Sequence, residues 1–145
     1  MKKAKTAAFK LSGHTADMMV SAGAARHKAL FRRAASGLLK VFRLRAPKGR
    51  DKKIRLRLQM PDLDALLGAW LNEVVYLVSS GKIVPQKFVI EEIGLNKNGA
   101  RLCASITGFK PGRGLKMREI KAVALHGLQI KKRGGRLQVS FITDI

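Results

Sequence analysis

Lys53-Ile54-Arg55-Leu56-Arg57-Leu58 is followed, across a short Pro61-Asp62 break, by Leu63-Asp64-Ala65-Leu66-Leu67-Gly68-Ala69-Trp70-Leu71-Asn72-Glu73-Val74-Val75-Tyr76-Leu77-Val78. The first piece alternates strictly between charged and apolar residues, which is the period of a strand with one face on a core and one in water. The second piece repeats its apolar residues at helical spacing: Leu63, Leu66, Leu67, Trp70, Leu71, Val74, Leu77 and Val78. Asp62 is placed to cap its N-terminus, and Ser79-Ser80-Gly81 ends it. A half-buried strand that hands over to a long apolar helix needs a sheet on which that helix lies.

Upstream, residues 25–42 show a second helical pattern in Leu30, Phe31, Ala34, Leu38 and Phe42, with Arg26, Lys28, Arg32, Arg33, Lys40 and Arg43 as the charged side. Residues 18–21 and 7–11 are expected as short strands around a tight His14-Thr15-Ala16-Asp17 segment. Residues 1–6 are expected as a basic flexible tail. Downstream, Phe88 and Ile90 alternate, Asn98-Gly99 signals a hairpin, and residues 101–107 alternate again. Residues 120–130 and 137–142 read as strands flanking a second hairpin signal, Lys131-Lys132-Arg133-Gly134-Gly135. The expected fold is α+β: two helices packed on one face of a mainly antiparallel sheet, in one domain spanning residues 7–145.

The chain has 145 residues, enough for one core. Thirty Lys and Arg against nine Asp and Glu give a net charge of +21, which attracts anions of every kind. Residues 1–50 hold only one acid, Asp17, and residues 101–145 hold only Glu119 and Asp144. A single cysteine, Cys103, excludes an internal disulfide, and its alternating strand makes it a core residue. The basic start lacks the apolar run of a secretory signal, and residues 63–78 are too short and polar to span a bilayer. These features give the expectation of a cytoplasmic protein with no membrane partner.

No G-x-S-x-G, H-E-x-x-H, C-x-x-C or Walker pattern is present, so nothing marks an enzyme. The final strand carries Asp144 to the end of the sequence at Ile145. If Asp17 met them, hard oxygen donors would converge in a way that suits Ca²⁺ or Mg²⁺. The competing reading is that these anions pair with nearby Lys or Arg. Arg45, Lys48 and Arg50, and Lys131, Lys132 and Arg133, are candidate phosphate contacts for RNA. Only eight aromatic residues are present, and Trp70 and Tyr76 sit on the apolar helix, so base reading has no platform.

Three blocks together resemble the archease family: His14-Thr15-Ala16-Asp17 after a short strand, Leu66-Leu67-Gly68-Ala69-Trp70-Leu71-Asn72-Glu73-Val74-Val75-Tyr76-Leu77, and Glu119-Ile120-Lys121-Ala122-Val123-Ala124-Leu125-His126 with the closing Asp144-Ile145. The resemblance implies a small α+β protein that serves as a cofactor of an RtcB-type tRNA-splicing RNA ligase, promoting its guanylylation and turnover without being an enzyme itself. A chaperone-like role has also been proposed for the family. It implies a divalent metal, usually Ca²⁺ with Mg²⁺ or Mn²⁺ as alternatives, held by Asp17, Asp144 and Ile145, with His14 and His126 nearby. The segment Gly108-Phe109-Lys110-Pro111-Gly112-Arg113-Gly114 departs from the family's acidic, His-containing loop, and the strong positive charge departs from its usual acidity. The alternative function is a basic RNA-binding or chaperone-like module with no ligase partner.

Overall fold

A computed structural model describes residues 17–44, 51–112 and 114–145. The expected tail at 1–6, the strand at 7–11, His14, Arg45, Lys48 and Arg50 lie outside the described residues. The chain order is β1 (Asp17–Ala24), α1 (His27–Phe42), β2 (Lys52–Met60), α2 (Leu63–Ser79), β3 (Val84–Asn96), β4 (Gly99–Phe109), β5 (Ala122–Val123), β6 (Lys131–Arg133) and β7 (Arg136–Asp144). No helix among the described residues is long and apolar enough to cross a membrane.

The fold is α+β, and the antiparallel strands divide into two sheets. One has the order β2-β4-β3. The other has the order β1-β7-β5, with β6 also paired to β7. Each helix touches both sheets: α1 lies on β1, β7 and β3, and α2 lies on β2, β3, β4 and β5. One continuous core results. Val20, Leu30, Phe31, Leu38, Phe42, Leu66, Trp70, Leu71 and Ile106 within it have no exposed surface. Burying side chains of this size stabilises the fold by about 1.5–3 kcal/mol each before entropy is charged against it. Trp70 anchors the junction: its indole N–H donates to the Phe31 carbonyl at 3.0 Å, and its ring meets Phe88 edge-on at 5.8 Å.

Helix α2 starts where the sequence places it. The Asp62 side chain accepts the Ala65 N–H at 2.8 Å, satisfying a donor that a helix start leaves open. Helix α1 has no such cap: Arg26 makes no side-chain capping bond. It closes instead on Arg43, whose φ of 56° lets its N–H reach the Lys40 carbonyl.

The β2 alternation has the expected phase, with Lys53, Arg55 and Arg57 exposed and Ile54, Leu56 and Leu58 half-buried on the side of α2. The β3–β4 hairpin forms as expected, but its loop is residues 97–98, with Gly99 already paired to Asn96. The Asn96 side chain accepts the Asn98 N–H at 2.7 Å, an Asx-type bend. Gly99 takes φ 118°, and a Cβ there would lie 2.5 Å from the Met60 carbonyl oxygen, so the hairpin and β2 need glycine here. The Gly134-Gly135 signal also holds: both have positive φ, 59° and 78°, and they join β6 to β7.

Two expectations are corrected. Residues 120–130 do not form a long strand. Only Ala122–Val123 pairs with β7, and the chain then turns at residues 125–128, where the Leu128 N–H reaches the Leu125 carbonyl and Gly127 has φ 78°. Helix α2 supplies the missing partners. The Asn72 amide donates to the Val123 carbonyl at 3.2 Å and accepts the Val123 N–H at 2.9 Å. Asp64 accepts the Ile130 N–H at 2.9 Å, and the Ser79 hydroxyl donates to the Ile120 carbonyl. Polar side chains along one helix therefore satisfy backbone groups that a strand would have satisfied with a ladder. Cys103 is the second correction. It is half-buried on the face of β4 turned away from the helices, in register with Arg57 and beside Arg101 and Ser105.

Candidate functional site: an opposed aspartate pair

Strands β1 and β7 pair antiparallel over eight positions each, and the register sets Asp17 opposite Asp144. Residues directly opposite in an antiparallel ladder point to the same face, with Cβ atoms about 4.5–5.5 Å apart. The phase is fixed by what the ladder buries. Met18, Val20, Val139, Phe141 and Thr143 face the helices and are almost fully buried. Asp17, Met19, Ser21, Ser140, Ile142 and Asp144 therefore share the outer face. The Thr143 hydroxyl, fully buried, donates to the Met18 carbonyl at 2.8 Å and ties the two strands together at the aspartate end. On the outer face, two rows beyond the aspartates, the Ser21 and Ser140 hydroxyls hydrogen-bond across the ladder at 2.9 Å.

The other side of β7 is fixed by the latched segment. Ala122 pairs with Asp144, and the Lys121 N–H donates to the Asp144 carbonyl at 2.7 Å. Asp144 is thus the central member of a three-strand row. The latch through Asn72 reaches the site indirectly: α2 holds Val123, Val123 pairs with Thr143, and Thr143 precedes Asp144.

Like charges directly opposite on a sheet repel, and such a pair stands only where something offsets it. Among the described residues no Lys or Arg forms an ion pair with Asp144. The donor set is oxygen only: two carboxylates on fixed backbone, with Ile145 next in the chain and half-buried against the core. That chemistry fits a hard divalent cation such as Ca²⁺ or Mg²⁺. Among the described residues no group of three or more His, Cys, Asp and Glu converges to hold a metal. His126 is exposed at the turn after β5. Lys131, Lys132 and Arg133 are all exposed and form β6, on the far side of β7 from β1.

Asn72 has a structural role that spacing does not reveal, because its partner, Val123, is 51 residues away. Glu73 is half-buried beside the exposed Tyr76.

Two helices packed on antiparallel sheets in this chain order give the architecture of the archease proteins. The archease protein family (MTH1598/TM1083) matches residues 9–145, and the chain belongs to that family. It is 30% identical over 134 residues to protein archease of Methanosarcina mazei, covering 91% of this chain and 92% of that protein. It is 25% identical over 145 residues to protein archease of Pyrobaculum neutrophilum, covering 97% of both. The fold is similar to the solution structure of Methanobacterium thermoautotrophicum protein 1598, with TM-score 0.73 and 24% identity over 92% of this chain and 96% of that one. It is also similar to a Thermotoga maritima crystal structure described as an archease and possible chaperone, with TM-score 0.58 and 19% identity over 94% of this chain and 96% of that one.

Proposed function

We propose that this protein is a metal-binding cofactor of an RtcB-type RNA ligase, acting through the corner formed by Asp17, Asp144 and an oxygen of Ile145. The observation that carries the reading is the register of β1 on β7, which opposes two of the three acids found in the basic thirds of the chain. Membership of the archease family supports the ligase partner. A bound divalent ion would supply positive charge beside phosphate oxygens. The chain's own contribution is to hold two carboxylates at a fixed separation on paired strands, where a loop would let them drift. The outer face beside them carries Met19, Ser21, Ser140 and Ile142, uncharged side chains against which a partner protein would dock.

Calorimetry with Ca²⁺ tests the metal. Asp144→Ala is expected to abolish measurable binding, and wild-type affinity in both Asp144→Ala and Asp17→Ala would remove the site. Ligase guanylylation from GTP tests the partner. The wild type is expected to accelerate it and Asp144→Ala to fail, and no acceleration at any ratio of the two proteins would end the activator reading.

A further inference from the structure

We propose that the solvent face of α1 binds a nucleic-acid phosphate backbone, without reading its bases, through Lys28, Arg32, Lys40 and Arg43. This inference is independent of the metal corner and of any ligase. All four residues are exposed. Residues 28, 32, 36 and 40 recur every four positions, so they line one face of the helix, with Ser36 in the gap and Arg43 just past the end. At 1.5 Å per residue the line runs for about 22 Å.

The charge rules of a helix are broken at the start of this stripe and kept at its end, where Lys40 lies in the last turn. The helix contains no acidic residue, so nothing on it offsets the stripe. Like charges four residues apart, as in Lys28 and Arg32, destabilise a helix, and cations near its start oppose the helix dipole. Cations in the first turns with no acid on the helix to offset them are expected where a binding requirement overrides stability. Lys28 donates to the Glu91 backbone carbonyl at 3.0 Å, a contact that leaves its charge intact. On the β2-β4-β3 sheet, by contrast, Arg55 faces the Glu91 carboxylate and Arg101 faces that of Glu92.

The same geometry sorts the possible anions. An anionic membrane surface requires an amphipathic helix to bury its apolar side in lipid, but Leu30, Phe31, Leu38 and Phe42 are fully buried in the core. A protein interface needs an aromatic or apolar anchor at its centre, and the stripe contains only cations and a serine. Phosphates remain. With no aromatic side chain in the stripe to stack on, bases go unread and recognition is electrostatic.

The test follows anisotropy of a fluorescent oligouridylate across a salt series. Lys28→Gln/Arg32→Gln/Arg43→Gln is compared with the wild type and with Lys131→Gln/Lys132→Gln/Arg133→Gln, which removes the same charge elsewhere. With about 0.7 counterions released per contact on a single strand, the helix variant is expected to flatten the log–log salt slope by about 2 and to lose on the order of 100-fold in affinity at 0.1 M salt. The β6 variant is expected to lose much less. In the wild type, bound oligouridylate is expected to shield Lys28 from acetylation while Lys131 stays reactive, a readout that needs no substitution. Equal losses in the two variants, an absence of binding by the wild type, or tighter binding of polyglutamate than of RNA would overturn the proposal.

Discussion

The two sheets are put together from opposite kinds of chain contact. In β2-β4-β3, one pairing is a tight hairpin and the strand that completes the sheet announces itself by strict alternation. In β1-β7-β5, the main ladder joins Asp17 to Asp144 across most of the chain, and β5 is two residues long. The first sheet pairs opposite charges on its outer face, Arg55 with Glu91 and Arg101 with Glu92. The second opposes two like charges. A sheet that forms from local signals sets opposite charges beside each other, whereas the sheet formed from the distant ends sets two like charges in one row. The comparison teaches that the costly arrangement is confined to the sheet whose closure requires the whole fold, where the surrounding structure can hold it in place.

The comparison breaks first at Asn72. Its amide makes three bonds, to the Gly68 carbonyl and to both backbone groups of Val123. Asn72→Ala leaves the part-buried Val123 N–H and C=O without those partners, while gaining a little helix propensity. The expected cost is about 2 kcal/mol, read as a lower denaturation midpoint. Hydrogen exchange should then speed at Val123 and along the Asp144 end of β7, and stay slow in β4. Uniform loss of protection in both sheets would show that the second sheet has no separate latch.

The difference between the sheets also explains what the sequence discloses. The 53–58 alternation, the Asp62 cap, the apolar stripe of α2 and the Gly134-Gly135 turn are short-range signals, and each appears in the structure at its expected place. Cys103 was legible too. Arg101 must point to water, and side chains two apart share a face, so the same alternation that suggested a core position assigns Cys103 to the outer side. Residues 120–130 were not legible, because their backbone partners are side chains of a helix some fifty residues earlier. The Asp17–Asp144 row lies beyond any local pattern: no spacing rule connects residues paired only after both sheets have closed on the helices. There the family resemblance supplied the pairing, and physical reasoning from spacing alone left it conditional.

A second break point sharpens the local side of the comparison. Gly99 opens β4 with φ 118°, and any Cβ there meets the Met60 carbonyl oxygen. Gly99→Ala combines backbone strain with a clash against β2, at an expected cost of about 1–2 kcal/mol by denaturant titration. The loss should fall on the β2-β4-β3 sheet and leave Ca²⁺ affinity at the aspartate corner unchanged. A variant that loses both together would mean that the sheets fold as one unit and that the contrast between them is only geometric.

The smallest effect concerns the matched charges themselves. Arg55 and Glu91 approach to 3.2 Å, but their side chains are 68% and 31% exposed. Water screens such a pair, and holding two long side chains in one geometry costs entropy, so exposed pairs contribute about 0.2–1 kcal/mol. Glu91 also receives the buried Ser105 hydroxyl at 3.4 Å, which places the carboxylate whether or not Arg55 is present. Arg55→Gln is therefore expected to cost no more than about 0.5 kcal/mol in the denaturation midpoint, and less in high salt. A larger, salt-insensitive loss would mean that the outer face of this sheet is held by its charges rather than by the alternating apolar residues beneath them. The charge contrast between the two sheets would then be a cause of their different stability instead of a consequence of how each is assembled.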